Sequence, residues 1–348
     1  MTEPSGQVRR GLPRPGGPAA SAGSDTAPVE PMPAPAERAA ALPALVTAKR
    51  NAATAAKHRA ITMVLVVAGL VVVSAVAILG ARWLMSVDAV SGFIDRYPGE
   101  YELPESAPVG IPGWLGWQHF FNVFLLVLII RSGIRIRREQ RPTVFWTSRR
   151  PGARKISLTA WLHQSLDLLW IINGVIFVVL LFATGQWIRI VPTSWEVFPN
   201  AVSAMLQYVS FDWPTENGWA NYNSLQQLAY FTTVFIAAPI SVLTGIRMSE
   251  WWPTKVEILN RLYPVGVART IHFPVMIYFV GFIVAHVALV LLTGALRNLN
   301  HIYASRDVVD WVGLILFLGS LVVIAGAWFA VRPLVVAPLA KIFGKVGR

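Results

Sequence analysis

Six long apolar segments, separated by polar stretches, dominate the hydrophobic pattern of this chain. They cover residues 61–84, 115–134, 161–182, 224–246, 270–293 and 309–330. A helix needs about 20 apolar residues to cross the hydrocarbon core of a bilayer, and each segment has about that length. The pattern therefore predicts an all-α integral membrane protein, a bundle of six transmembrane helices within residues 49–348.

The first 48 residues have a different character. They are rich in proline, alanine, glycine and serine and show no apolar periodicity. A segment of this composition does not bury enough apolar surface to offset its conformational entropy. We therefore expect residues 1–48 to form a disordered tail on the cytoplasmic side.

The composition agrees with a membrane protein and excludes several other classes. Of the 348 residues, 55% are hydrophobic and only 14% are charged, which is unusual for a soluble domain. The net charge of +12 could suggest a nucleic-acid partner, but the basic residues lie beside the apolar segments, where membrane topology explains them. We expect the lipid bilayer as surroundings and no nucleic acid. The absence of cysteine excludes disulfides, cysteine-bound iron–sulfur clusters and covalently attached haem.

The loop between the second and third segments orients the bundle. It carries nine basic residues and a single acid, Glu139. The basic residues are Arg131, Arg135, Arg137, Arg138, Arg141, Arg149, Arg150, Arg154 and Lys155. Such loops stay in the cytoplasm, so six spans predict that both termini are cytoplasmic. We call the end of the bundle with this loop the inner end and the opposite end the outer end.

Two histidines in the fifth segment give the first indication of chemistry. His272 and His286 are fourteen residues apart. In a helix with about 100° and 1.5 Å per residue, they face the same way to within about 40° and lie roughly 21 Å apart. Ionisable residues at bilayer depth are costly and usually functional. The spacing therefore indicates two ligands at two levels of the membrane.

Two further histidines match these levels. His119 on the second helix lies near the outer end, at the depth of His286, whereas His163 on the third lies near the inner end, at the depth of His272. Each pair could supply both axial imidazoles of a haem iron. We therefore predict two non-covalent b haems, one held by the outer pair, His119 and His286, and one by the inner pair, His163 and His272.

Other functions are open at this point. A membrane histidine is often a hydrogen-bond partner between helices, and a zinc or iron site would want further carboxylate or thiolate ligands. A transporter or an assembly factor without haem, using intramembrane histidines, is the alternative from another class. His58 and His301 fall outside the spans and are expected to be ordinary surface residues, although His301 could line a quinol or partner site.

Short segments around the histidines resemble a known family. Residues 117–121 read WQHFF and residues 268–272 read ARTIH, with His286 fourteen positions after His272. Together with the basic loop, they resemble the di-haem cytochrome b subunits that anchor respiratory formate dehydrogenases and nickel-iron hydrogenases, over about residues 110–295. In that family the two-histidine helix supplies one ligand to each haem, and two other helices supply one each.

The resemblance also implies a cellular role. Members of the family pass electrons between a peripheral catalytic subunit and membrane quinone. The chain would thus be an electron-transfer subunit of an oxidoreductase complex in the bacterial cytoplasmic (inner) membrane, with a peripheral or membrane redox subunit as partner and quinone or quinol as substrate. The family core has four or five helices, fewer than the six predicted here, and its two-histidine helix runs in the opposite direction.

Overall fold

The computed structural model describes residues 35–213 and 217–348. The predicted disorder of residues 1–34 lies outside the described residues. Helix α1 spans Pro35–Met85, so residues 35–48 belong to a helix, in keeping with the high helix propensity of their alanines. The chain divides into two units after Val72. All contacts discussed below lie within the second unit.

Six helices long and apolar enough to cross a membrane are present in the described part of the chain, which confirms the predicted number of spans. They are Ala53–Met85 of α1, α3 (Gly113–Arg138), α4 (Leu158–Ala183), the composite span Ser224–Met248, α9 (Val265–Leu292) and α11 (Val312–Ala330). Most of their apolar surface is not covered by the rest of the protein. The protein is therefore a multi-pass membrane protein with an all-α bundle.

Shorter elements connect the spans. They are α2 (Asp88–Arg96), α5 (Val197–Ser210), α8 (Glu257–Leu262), α10 (Ala295–Leu299) and α12 (Pro333–Phe343), with a 3₁₀ turn at Gln186–Arg189 and a π turn at Asn300–Ala304. Most of those between residues 88 and 304 belong to the connections at the outer end.

The fourth span is interrupted. It starts with α6 (Ser224–Phe231), whose capping box joins Asn223 and Gln226, and continues through a π turn at Thr232–Ala237 into α7 (Ala238–Met248). Pro239 at the start of α7 lacks a backbone N–H, so the regular hydrogen-bond ladder cannot pass through it. The wider turn accommodates this break, and such π turns often accompany functional sites.

A small sheet at the inner end departs from the expected all-α pattern. Strands β1 (Phe145–Ser148), β2 (Lys155–Ser157) and β3 (Gly344–Gly347) form an antiparallel sheet in the order β2-β1-β3. Trp146 pairs with Ile156 and Val346, and its indole N–H donates to the Ala340 carbonyl at 3.0 Å. The C-terminal strand is thereby attached to the basic loop.

Two helix pairs form the framework around the histidines. Helix α3 packs along α4, and α7 packs along α9. Leu125, Leu128 and Leu166 are buried between α3 and α4, while the hydroxyl of Ser157 caps the first turn of α4 by accepting from Ala160 N. These contacts fix the depth at which the side chains of the four helices meet.

The π turn at Asn300–Ala304 lies directly on the outer part of the bundle. It packs on α3 and α11. A Cβ atom at Gly116 would collide with the Ile302 carbonyl oxygen, so only glycine permits this approach of the two backbones. The close approach sets Tyr303 beside the outer end of α3.

Candidate functional site

The inner pair is formed by two helices that contribute one imidazole each. His163 projects from α4 and His272 from α9, and their ring centres are 6.5 Å apart with an interplanar angle of 81°. A coordinating imidazole nitrogen lies about 2 Å from its metal and about 1 Å from its own ring centre, so two imidazoles on opposite sides of one iron have centres about 6 Å apart. The observed separation therefore fits a single metal between the rings.

Hydroxyl groups from the neighbouring helices orient both inner rings. Ser132 Oγ on α3 lies 2.8 Å from His163 Nδ1, and Thr244 Oγ1 on α7 lies 2.8 Å from His272 Nδ1. Both hydroxyl residues are almost fully buried. Because Nδ1 is occupied in each ring, Nε2 is the nitrogen left for a metal.

Each of these hydroxyls is followed by a glycine that lies beside the ring. A Cβ atom at Gly133 would lie 3.2 Å from His163 Cε1, and one at Gly245 would lie 3.7 Å from His272 Cε1. Glycine is therefore needed to leave room for the ring at position 133, whereas at position 245 a Cβ atom would make an ordinary contact. The dipeptides Ser132-Gly133 and Thr244-Gly245 were not singled out from the sequence.

A small open cavity of about 40 Å³ adjoins His272 of the inner pair. Its lining includes His272, Gly245, Gln164, Asp167 and Trp170. The Asp167 carboxylate lies 3.7 Å from His163 Nε2, too far for a hydrogen bond, so it does not occupy that nitrogen.

The outer pair brings α3 and α9 together. His119 and His286 have ring centres 6.2 Å apart with an interplanar angle of 56°. Aromatic side chains surround them: Phe282 stacks on His286 with centres 5.6 Å apart, and Tyr303 meets His119 edge-on at 6.0 Å. His119 Nδ1 is buried and has no hydrogen-bond partner among the described residues.

The donor set of the two pairs suits haem better than a bare metal ion. In both pairs the two imidazoles lie close enough to bind one iron between them, and two imidazoles would suffice to hold a b-type haem. In residues 35–213 and 217–348, no group of three or more histidine, cysteine, aspartate or glutamate side chains could hold a metal ion. A macrocycle that supplies four ligands of its own needs only the two that each pair provides.

His301 is not the surface residue that the sequence analysis expected. The residue is 4% exposed, and its Nε2 lies 2.8 Å from Asp307 Oδ1. Arg297 donates to both oxygens of the same carboxylate, at 2.6 and 2.9 Å. The hydrogen bonds with Arg297, which have the largest effect, and with His301 hold the pKa of Asp307 well below its usual range. The sequence carried no signal for this cluster because the π turn brings its members together.

Comparison with known proteins identifies related chains. The family model for prokaryotic cytochrome b561 matches residues 111–304, which include all four paired histidines and the four spans that carry or flank them. The first and last spans lie outside the match. The two extra helices therefore account for the difference between six spans here and the smaller core expected from the resemblance.

A curated relative matches a similar length of chain. It is the putative protein-methionine-sulfoxide reductase subunit YedZ1 of Azospira oryzae, 27% identical over 193 residues, which correspond to 52% of this chain and 89% of the relative. No solved structure matches the chain.

Proposed function

The chain belongs to the prokaryotic cytochrome b561 family, and on that premise we propose that it relays electrons through two b haems between a partner redox subunit and the quinone pool. Membership makes it a haem-binding membrane cytochrome of electron transport. The proposal adds the number of haems, their ligands and the two ends of the relay. The observation that supports it most directly is the presence of two histidine pairs, each with one imidazole on helix α9. The ring centres are 6.2 Å apart in the outer pair and 6.5 Å apart in the inner pair.

Some residues of each proposed site would bind the haem iron, and others would surround the haem. In the proposal, His119 and His286 bind one iron through ring nitrogens, and His163 and His272 bind the other. The spans around the sites are predominantly apolar and would give both haems surroundings of low polarity. When bound, each haem supplies an iron that cycles between the ferric and ferrous states.

The partner and the quinone rest on different supports. The name of the Azospira relative describes a reductase subunit, which supports a second protein as redox partner. Quinone as substrate rests on the resemblance to respiratory cytochrome b anchors. Membership of a cytochrome family also favours this function over a haem-free transporter or assembly factor.

The haem content of the purified full-length protein tests the proposal directly. A pyridine haemochrome assay should return about two protohaems per chain, and dithionite should produce a reduced b-type spectrum. His58→Ala is the matched control because His58 is exposed and lies outside the paired sites. One haem per chain would contradict the two-site proposal, and a folded protein without haem would contradict ligation altogether.

The orientation in the membrane needs a separate test. We propose that the basic loop and both termini are cytoplasmic and that the protein resides in the bacterial inner membrane. Reporter fusions at Gly152 in the basic loop and at Glu102 on the opposite side should report opposite compartments. If both report the same compartment, the alternating six-span arrangement is wrong.

A further inference from the structure

The two histidine pairs differ in what contacts the Nδ1 nitrogen of their imidazoles. Both inner imidazoles have a hydroxyl oxygen 2.8 Å from Nδ1. In the outer pair, His119 Nδ1 is buried without a hydrogen-bond partner within the described part of the chain. Both imidazoles of the inner pair thus have a hydroxyl beside Nδ1, whereas His119 of the outer pair has none.

The two hydroxyls also contact carbonyl groups of their own helices. Ser132 Oγ donates to the Ile129 carbonyl at 2.9 Å, and Thr244 Oγ1 lies 2.7 Å from the Ile240 carbonyl and 3.0 Å from that of Ser241. A hydroxyl has a single proton, which a helix carbonyl can take. If Nε2 binds iron, Nδ1 of each inner imidazole keeps the ring proton, and the oxygens of Ser132 and Thr244 are the acceptors beside it.

A hydrogen bond from Nδ1–H has a known effect on the opposite nitrogen. It withdraws the proton partly from the ring, raises the basicity of Nε2 and fixes the orientation of the ligand. A more basic imidazole stabilises the ferric state of a bound iron over the ferrous state. The same hydrogen bond would therefore lower the reduction potential of the inner site.

We propose that Ser132 and Thr244 are positioning residues that lower the reduction potential of the inner site by accepting hydrogen bonds from its two ligands. The proposal rests on the proposed function, because it requires haem at the inner pair. Its consequence is directional. The hydroxyls disfavour an electron on the inner site and so promote its transfer towards the outer one.

Potentiometric titration of the haem-loaded, full-length protein tests this proposal. The inner component is identified as the one that disappears in His163→Ala. In Thr244→Val and in Ser132→Ala, its midpoint should move to a more positive potential, by up to about a tenfold change in the ferric preference, which equals about 59 mV for one electron. Thr244→Ser and Ser132→Thr keep the hydroxyl and should retain the original midpoint.

Matched controls separate the hydroxyl's contact with the ring from a general effect of removing a hydroxyl. Thr270 lies two residues from His272, and Ser165 lies two residues from His163. Among the described residues, the hydroxyl of Thr270 bonds to Gly266 O and that of Ser165 to Trp161 O, both carbonyls of their own helices. Thr270→Val and Ser165→Ala should leave both midpoints unchanged.

The outcomes distinguish failure of this proposal from failure of the proposed function. An unchanged inner midpoint in Thr244→Val and Ser132→Ala, with both haems present, would overturn the role of the hydroxyls and leave the relay intact. Loss of the inner haem in Thr244→Val but not in Thr244→Ser would support the positioning role, whereas loss in both would assign Thr244 to helix packing and overturn it. Absence of haem from the unsubstituted protein would instead contradict the proposed function.

Discussion

The inner and outer histidine pairs have similar spacing but orient their rings by different means. Helix α9 supplies one imidazole to each, and the ring separations differ by only a few tenths of an ångström. Hydroxyls on α3 and α7 hold the inner rings, while Phe282 and Tyr303 contact the outer rings through aromatic packing. Hydrogen bonds specify one orientation and tune the ligand nitrogen, whereas packing specifies shape alone. The same ligand set can thus serve two electronically different sites.

The largest expected effect is loss of one site without the other. His163→Ala and His272→Ala should each remove the spectral component of the inner haem. His119→Ala and His286→Ala should each remove that of the outer haem. A lost imidazole would leave the haem at its own level with one protein ligand fewer, and the other level lies roughly 21 Å along α9. Difference spectra of the four single variants measure this. If His119→Ala and His163→Ala deplete the same component, the division into two levels is wrong.

The second prediction concerns the room left for the inner rings. In Gly133→Ala the new Cβ atom would lie 3.2 Å from His163 Cε1, so the ring must shift and haem retention at the inner site should fall about 10-fold. In Gly245→Ala the corresponding distance of 3.7 Å is ordinary contact, so the effect should be small. Haem content after dilution or dialysis gives the readout.

Gly174→Ala on α4 is the control for this series, because a Cβ atom there would meet nothing within 4 Å. It should leave both components unchanged. Equal haem loss in Gly133→Ala and Gly174→Ala would mean that the glycine serves the helix rather than the ring.

The third prediction probes the aromatic support of the outer pair. Phe282 stacks on His286 with nearly parallel rings. Such a contact is worth about 0.5–1.5 kcal/mol beyond buried area, so Phe282→Leu should weaken haem retention at the outer site by roughly 2- to 10-fold. The inner component should not change, and Phe329→Leu, an exposed position on α11, should affect neither. An equal response of both components would show that the aromatic packing is not specific to the outer level.

Sequence reasoning recovered the elements whose signals are local and periodic. The six spans follow from hydropathy alone, and the grouping of His119, His163, His272 and His286 by depth follows from helix geometry and topology. Each of these signals depends on positions within one helix or on counting from a membrane surface. They require no knowledge of which helix packs against which.

The parts that sequence reasoning missed depend on contacts between distant segments. Ser132 and Thr244 resemble any other hydroxyl in a helix until the packing of α3 on α4 and α7 on α9 brings them to the rings. Strand β3 is four residues long and pairs with a loop some two hundred residues earlier, so no local pattern indicates it. His301 is buried only because a π turn folds it towards Asp307.

The smallest expected effect comes from the Asp307 cluster, which holds the segment that carries Tyr303. The pKa of Asp307 is lower in the folded protein than in the unfolded chain, where it is about 3.9. The stabilisation by the ionised carboxylate is therefore fully present above about pH 3.9 and is lost only as the pH falls below that value. The outer spectral component should therefore keep its position from pH 8 to pH 5.

Asp307→Asn removes the charge at every pH, so we expect a small shift of the outer component throughout this range, because Tyr303 contacts His119. The inner component should stay fixed, as should both components in Asp88→Asn, a substitution at an exposed carboxylate. A shift of the unsubstituted protein's outer component between pH 8 and pH 5 would show that a group other than Asp307 titrates beside that site.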